Sequence, residues 1–415
     1  MSGVNQNEML VGLDVGTSKV VAVVAEVDNE GNLEITGLGT QPSRGLRNGV
    51  VVDIESTTLA IKKSIQEAES MAGCHISSCY VGISGSHIKG LNSNGVVAIK
   101  DGEVRYSDVD RVIETAQAMA IPADQKLLHV LPRDYIIDKQ DGIKEPLGMA
   151  GSRLEAKVHL VTCSENSSQN IHTCVKACGL EVEAFVLEQL ASSYSVLTSD
   201  ERELGVCLID IGCGTTDIAV FTEGSISFTE VIPVAGDHVT NDIAQALRTP
   251  PNQAEDIKQM YGCAVSSMTS PHETMMVPGM GGRPERELSR QALADVLERR
   301  YVEIFSMTQQ KLNLSGFDSI IPAGIVLTGG ASKIEGAVEL AEEVFHTPVR
   351  IGTPNSAEGF SEIINNPIYV DQIINDNQKS KSLNYGTALA GDVTQEFKLE
   401  QKFAIDSGWA NFLAK

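Results

Sequence analysis

Apolar residues along this chain come in short runs. Residues 206–211 read VCLIDI and residues 218–221 read IAVF, two β-rich stretches separated by GCGTTD. Runs of that length bounded by glycines predict a buried strand, Val206 to Ile211, and a hairpin partner, Ile218 to Phe221. The same pattern occurs nearly half a chain earlier. Residues 11–24 read VGLDVGTSKVVAVV, a strand ending in Asp-x-Gly, then small hydroxyl residues, then a β-branched run. A third short strand, Gly324 to Thr328, runs into Gly329-Gly330 and predicts a helix opening near Ser332. Helical spacing appears elsewhere: Val109, Val112, Ile113, Ala116 and Met119 predict a helix from Asp108 to Ala120. Leu293, Val296, Leu297, Ile304 and Met307 line one side of a second helix over 289–312. Residues 264–285 have no period and are rich in Gly, Pro, Ser and Met, which predicts a mobile loop.

The two Asp-x-Gly hairpins carry the candidate chemistry. Gly212 and Gly214 suit a tight turn that points several backbone N–H groups into one concavity, an arrangement that fits phosphate oxygens. Thr215 and Thr216 add hydroxyl donors. Asp210 and Asp217 repel a bare phosphate, but they make sense if a hydrated Mg²⁺ lies between carboxylate and phosphate. A single occurrence reads better as an ordinary hairpin with acids in solvent. Two occurrences suggest two related halves, each giving one hairpin to a shared cleft that grips a polyphosphate from both sides. Lys19 supplies the positive charge that the second hairpin lacks.

Length and composition narrow the picture further. A chain of 415 residues with 42% hydrophobic content has room for two or more domains with sizeable cores. The net charge of −23 argues against nonspecific nucleic-acid binding, since there is no basic excess to displace counterions. Eight cysteines are scattered without C-x₂-C spacing, so reduced, mostly buried thiols are expected instead of a zinc site. The opening residues MSGVNQNEML lack a basic segment followed by an apolar stretch, and no apolar run is long enough to span a bilayer. A cytoplasmic location follows as the expectation.

In the order GLDVGTSK, LIDIGCGTTD and GIVLTGG, these motifs resemble the actin-like ATPase superfamily. Residues 80–107 (YVGISGSHIKGLNSNGVVAIKDGEVRYS), the stretch LHVLPRDY ending at Tyr135, and residues 146–159 (PLGMAGSRLEAKVH) look like the small subdomain peculiar to the FtsA family of bacterial cell-division proteins. The resemblance implies an α/β, actin-like ATPase fold: two ribonuclease-H-like domains around a nucleotide cleft, with an FtsA-type subdomain inserted in the first. By that pattern the first domain takes residues 1–84, 158–195 and 380–391, and the insert takes 85–157. The second domain takes 196–239 and 310–379, its outer subdomain 240–309, and residues 392–415 form a linker and short amphipathic tail. Small-residue segments 189–193 (QLASS) and 385–390 (YGTALA) would act as hinges.

The resemblance also assigns roles. Gly16, Thr17, Ser18 and Lys19 look like the first phosphate loop, and Gly212, Gly214, Thr215 and Thr216 the second, with ATP as ligand. Asp14 and Asp210 would hold Mg²⁺, mostly through water. Gly236 would lie near the phosphates, and Glu255 and Lys258 would contact ribose and adenine. Gly329 and Gly330 would back the adenosine, with Lys333 within reach. Glu188 and Asp210 are the candidate catalytic acids, but Gln189 departs from the proline usual after the acidic residue, so hydrolysis is expected to be slow or absent.

As expected partners, the family pattern names the C-terminal peptide of the tubulin-like division protein FtsZ, further copies of the chain in actin-like filaments, later division proteins, and the inner face of the cytoplasmic membrane. Arg299 and Arg300 are candidates for the acidic FtsZ peptide, with a solvated helix face paired with Glu298 and Glu303 as the nearly equal alternative. In the tail, Trp409, Phe412 and Leu413 share one helical face and are candidates for the membrane. The rival reading is a sugar or acetate kinase of the same superfamily, which needs a catalytic carboxylate and a polar sugar-binding insert; neither is recognisable. A chaperone ATPase would need a long substrate-binding domain after the nucleotide fold.

Overall fold

A computed structural model describes residues 8–27 and 33–354 of the chain. The expected hinge segment 385–390, the tail with Trp409, Phe412 and Leu413, and residues 355–379 of the second domain lie outside the described residues.

The first half begins with a hairpin of β1 (Glu8–Val15) and β2 (Lys19–Val27), extended by β3 (Leu33–Pro42). A short ribbon, β4 (Leu46–Arg47) and β5 (Val50–Val51), leads to α1 (Ile54–Ala72) and β6 (Ser78–Ile83). Helix α1 starts where the Asp53 carboxylate accepts the Ser56 N–H, and it stops at Gly73, which is left-handed at φ 66°. It lies close over β3 because Gly39 has no side chain; a Cβ there would overlap the Ser64 carbonyl.

An insert follows, made of β7 (Lys89–Ala98), α2 (Tyr106–Gln117), β8 (Gln125–Ile137), β9 (Gln140–Ile143) and β10 (Arg153–Ser164). Its antiparallel sheet has the order β7-β10-β8-β9. Helix α2 buries Val109, Val112, Ile113 and Ala116 with Leu154, Ala156 and Val158 of β10. It begins two residues before the expected start because the Asp108 carboxylate accepts the Arg105 backbone N–H. Helix α3 (Glu165–Ala177), β11 (Glu181–Leu187) and α4 (Glu188–Val196) return to the first half. Leu187 N–H donates to His129 Nε2 at 2.9 Å, fastening β8 of the insert to β11.

The second half contains α5 (Ser199–Leu204), β12 (Val206–Ile211), β13 (Thr216–Thr222), β14 (Ser225–Ile232), α6 (Gly236–Leu247) and α7 (Pro251–Tyr261). It continues through β15 (Thr274–Val277), β16 (Arg286–Ser289), α8 (Arg290–Ser315), β17 (Ile325–Thr328), α9 (Ala337–Phe345) and β18 (Val349–Ile351). Its sheet order, β14-β13-β12-β17-β18, matches strand for strand the β3-β2-β1-β6-β11 order of the first half. In both, the first three strands are antiparallel and the last two run parallel to the first. One face of the second sheet joins α6, α8 and α9 in a continuous apolar core. Its other face packs Leu208, Ala219 and Phe221 against Val196 and Leu197 at the end of α4, so the helix that leaves the first half helps close the core of the second.

Two expectations are corrected here. The mobile loop over 264–285 is in part the ribbon β15–β16, with Met275 and Val277 buried in the second core. The helix expected near Ser332 is a single 3₁₀ turn, Gly330–Lys333, and the α-helix starts only at Ala337. Gly329 at φ 83° and Gly336 at φ 78° interrupt the helical path on both sides of that turn. All eight cysteines are free thiols, five of them buried. Among the described residues no helix is long and apolar enough to cross a membrane.

Candidate functional site

Between the two halves lies a cleft of about 1020 Å³. Its floor is made by the two hairpins. In β1–β2 the last pair is Val15 with Val20, and in β12–β13 it is Ile211 with Thr216, so the turns Gly16–Lys19 and Gly212–Thr215 are equivalent. Asp14 and Asp210 then hold the same place, opposite Val21 and Asp217 respectively. The turns touch. A Cβ on Gly214 would stand 2.7 Å from Thr17 Oγ1, and the Cys213 thiol is hydrogen-bonded with Ser18. Burial, with Asp237 nearby, pushes that thiol up to about 11, so the second turn carries a neutral sulfur.

The rest of the cleft is fixed to the second turn. At the start of α6 the Gly236 and Asp237 N–H groups donate to the carbonyls of Gly212 and Cys213 at 3.1 and 2.8 Å. Gly329 backs directly on Asp210: its φ is 83°, and a Cβ would overlap Asp210 Oδ1 and come within 2.6 Å of the Ile211 carbonyl. At the far end Lys258 Nζ donates to Thr240 Oγ1 at 2.8 Å, to the Gly236 carbonyl at 3.1 Å, and pairs with Glu255 at 2.7 Å. Thr240 also donates to Glu255. Burial alone would raise the Glu255 carboxyl, but the Lys258 ammonium and these hydrogen bonds outweigh it and hold the group below its usual range.

The structure brings nearly all the sequence-derived candidates to this cleft. Gly16, Thr17, Ser18, Lys19 and Asp14 line it from the first half, together with Glu188 at the head of α4. Asp210, Gly212, Gly214, Thr215 and Gly236 line it from the second, and Glu255, Lys258, Gly329, Gly330 and Lys333 complete it. Thr216 is the exception: it is fully buried, and its hydroxyl donates to the Val234 carbonyl at 2.7 Å. Sequence reasoning left out Arg290, Tyr301 and Glu335, which also line the far end. Tyr301 sits among the apolar positions of α8 and gives no local signal; its hydroxyl donates to the Ala331 carbonyl at 2.8 Å.

Arg299 and Arg300 lie away from the cleft on α8 and differ. Arg299 is exposed. Arg300 donates from Nε and Nη2 to the Asp242 carboxylate at 2.6 and 3.1 Å, and from Nη1 to Glu303 at 2.6 Å, so it serves first as a tie between α8 and α6.

Both hairpin carboxylates, Asp14 and Asp210, are nearly buried, and Asp210 accepts the Ser192 hydroxyl at 3.2 Å. Among the described residues no three His, Cys, Asp or Glu side chains group closely enough to hold a metal on their own.

Comparison with known proteins places this geometry. Residues 207–373 match the family described as cell division protein FtsA, and residues 85–162 match the SHS2 domain inserted in FtsA. The chain is 62% identical over 369 residues to the cell division protein FtsA of Pseudomonas aeruginosa, covering 89% of this chain and 88% of that one. It is 48% identical over 369 residues to that of Escherichia coli K12, covering 87% and 88%. Among solved structures, the PilM-PilN type IV pilus biogenesis complex matches with TM-score 0.64 at 15% identity, covering 87% of this chain and 96% of that one. MreB5 of Spiroplasma citri bound to ADP matches with TM-score 0.52 at 18% identity, covering 88% and 94%. These neighbours share the actin-like ATPase fold, and at the identities found the chain belongs to the FtsA family of cell division proteins.

Proposed function

We propose that the cleft binds ATP, and that the ATP-bound chain self-assembles and links FtsZ to the cytoplasmic membrane. The observation that carries the nucleotide reading is the meeting of two hairpins in one register, with their turns in contact and Lys19 beside them. Converging turn amides and a cation suit a polyphosphate. The Glu255, Lys258 and Thr240 cluster at the opposite end is held in place by its own hydrogen bonds and offers polar groups that suit ribose hydroxyls. Asp14 and Asp210 are hard oxygen donors that fit Mg²⁺, which takes one or two carboxylates and fills its shell with water and phosphate oxygens. Glu188 is the acid best placed to act on an attacking water.

The proposed division into domains follows the sequence boundaries, with 85–157 as insert and 240–309 as outer subdomain. Rotation of the halves about α4 couples nucleotide to assembly. In the outer subdomain, exposed Arg299 is the better cation for an acidic FtsZ peptide, since Arg300 is engaged by Asp242. Residues 396–415 supply the membrane contact through Trp409, Phe412 and Leu413, weakly in a monomer and firmly in a filament where many tails act together.

The test combines calorimetry with ATP and Mg²⁺ and co-sedimentation with FtsZ and anionic vesicles. Binding of ATP, together with vesicle pelleting that disappears on deletion of 396–415, is the expected result. Wild-type protein that binds no nucleotide, or that pellets equally without the tail, overturns the corresponding part.

A further inference from the structure

Asp217 joins the two halves at the floor of the cleft. It stands on β13 and lines the cleft, yet Ser84 and Gln189, which both donate to its Oδ1, belong to elements that begin in the first half. Ser84, just past the end of β6, donates its hydroxyl at 2.6 Å, and Gln189 in the first turn of α4 donates Nε2 at 2.6 Å. All three side chains are buried. A carboxylate with two short donors on one oxygen has its plane fixed, and its position relative to an approaching phosphate is then fixed as well.

Helix α4 extends this contact. Its first residues, Glu188 and Gln189, stand at the cleft and beside Asp217, while its last carbonyls are held by the second half. Arg202 Nη2 donates to the Ser193 carbonyl at 2.6 Å, and Arg350 Nη2 donates to the Val196 carbonyl at 2.8 Å. Any rotation of the halves must therefore act on the joint between Gln189 and Asp217. Gln189 Oε1, in turn, is buried with no hydrogen-bond partner among the described residues. A side chain needed only for packing would be apolar here and would leave no acceptor stranded.

We propose that Gln189 is a positioning residue for the nucleotide: it fixes the Asp217 carboxylate at the cleft floor and ties the occupied cleft to the linking helix. This rests on the nucleotide reading of the cleft. Gln189 does not itself touch the ligand; it acts through Asp217. Replacing it with leucine removes the stranded acceptor along with the donor, so the relief of one offsets the loss of the other in the folded, empty protein, while Asp217 keeps Ser84 and loses its tie to α4. Replacing it with glutamate sets a second carboxyl against Asp217, and the pair then holds one proton between them.

The test measures ATP affinity for wild type, Gln189→Leu and Gln189→Glu between about pH 5.5 and about pH 8, with thermal melting of the nucleotide-free proteins. Gln189→Leu is expected to bind ATP about tenfold more weakly while melting no lower than wild type. Gln189→Glu is expected to approach wild-type affinity at the acid end, where the shared proton restores the hydrogen bond, and to fall about tenfold or more behind it at the alkaline end. Variants that match wild type at every pH overturn the inference. So does a loss of affinity matched by an equal loss of stability without ATP, which marks a structural role. Wild-type protein that binds no ATP overturns the nucleotide reading itself, and this inference with it.

Discussion

The two hairpins share their register and differ in what they carry at matched places. The first turn reads Gly16, Thr17, Ser18, Lys19 and the second Gly212, Cys213, Gly214, Thr215. Where the first has a flexible cation, the second has a buried hydroxyl; where the first has Val21, the second has Asp217. Val21 lies in a small apolar cluster with Val23 and Ile35, whereas Asp217 faces the cleft and the other half. One backbone device has thus been divided into a hairpin that supplies charge and a hairpin that supplies a joint. The outer strands show a parallel contrast. Along β3, side chains of α1 cover exposed amides, with Leu38 N–H on Met71 Sδ and Thr40 N–H on Glu67. The equivalent strand β14 is covered by the insert, through Asn92, His159 and the Arg133 carbonyl.

The largest expected effect comes from making the hairpins alike at the joint. Val21→Asp places a carboxylate in the buried cluster of Val23 and Ile35 and directly opposite Asp14, a change expected to cost about 4 kcal/mol or more of stability. Urea denaturation measures it directly. A midpoint near that of wild type would mean that the two positions are interchangeable after all.

The turns come next. Gly214 and Ser18 hold equivalent places, but a Cβ on Gly214 would stand 2.7 Å from Thr17 Oγ1 and 3.1 Å from Asn48 Cα, while Ser18 is exposed. Gly214→Ser is expected to push the turns apart and weaken ATP binding about 100-fold, or about 2.7 kcal/mol, whereas Ser18→Gly should change it by only about twofold. Similar losses in the two variants, measured by calorimetry, would remove the asymmetry between the turns.

Charge follows. Lys19→Ala is expected to weaken ATP binding by about 1.5–3 kcal/mol, the range for a hydrogen bond to a charged group, and Thr215→Ala at the matched place by about 1 kcal/mol. The reverse order would move the cationic role out of the first hairpin.

How much of this was legible in the sequence depended on the range of the interaction. The strand Val206–Ile211 was read at its observed bounds because a β-branched run and a glycine turn are local signals. The helix expected over 289–312 appears as Arg290–Ser315, starting where Ser289 accepts the Ala292 N–H and ending at left-handed Gly316. The ribbon β15–β16 was missed because four-residue strands flanked by Gly and Pro show no period, and their burial comes from packing with α6 and α8 and leaves no local pattern. Asp217 was noticed as an acid, but its partner Ser84 lies 133 residues away, and no local pattern announces that pairing. Arg300 likewise looked available for a partner because Asp242, 58 residues distant, is invisible from α8 alone.

The smallest effect tests the edges, and it depends on pH. His159 is buried between the insert and β14, with Nδ1 2.7 Å from Asn92 Oδ1 and Nε2 2.9 Å from Thr229 Oγ1. The Asn92 amide is oriented by its own donation to the Ser227 carbonyl at 3.0 Å, so its oxygen accepts from Nδ1–H, and Nε2 accepts from the Thr229 hydroxyl. A neutral ring satisfies every contact. Burial first, and Arg133 second, push the His159 pKa down from 6.5 to about 3. Between those values the unfolded chain takes up a proton that the folded one refuses, so stability is full above about pH 6.5 and falls as the pH drops below it, by about 1.4 kcal/mol per pH unit. His87, lowered to about 4 by burial and Lys89, adds a similar slope. At the β3 edge the covering groups are Met71 and Glu67. Urea midpoints at about pH 7 and about pH 5.5 should therefore fall less in His159→Gln than in wild type, with the His87 share remaining. An unchanged slope would mean that the insert can open from β14 far enough to hydrate the ring, and the two edges would then differ in permanence as well as in chemistry.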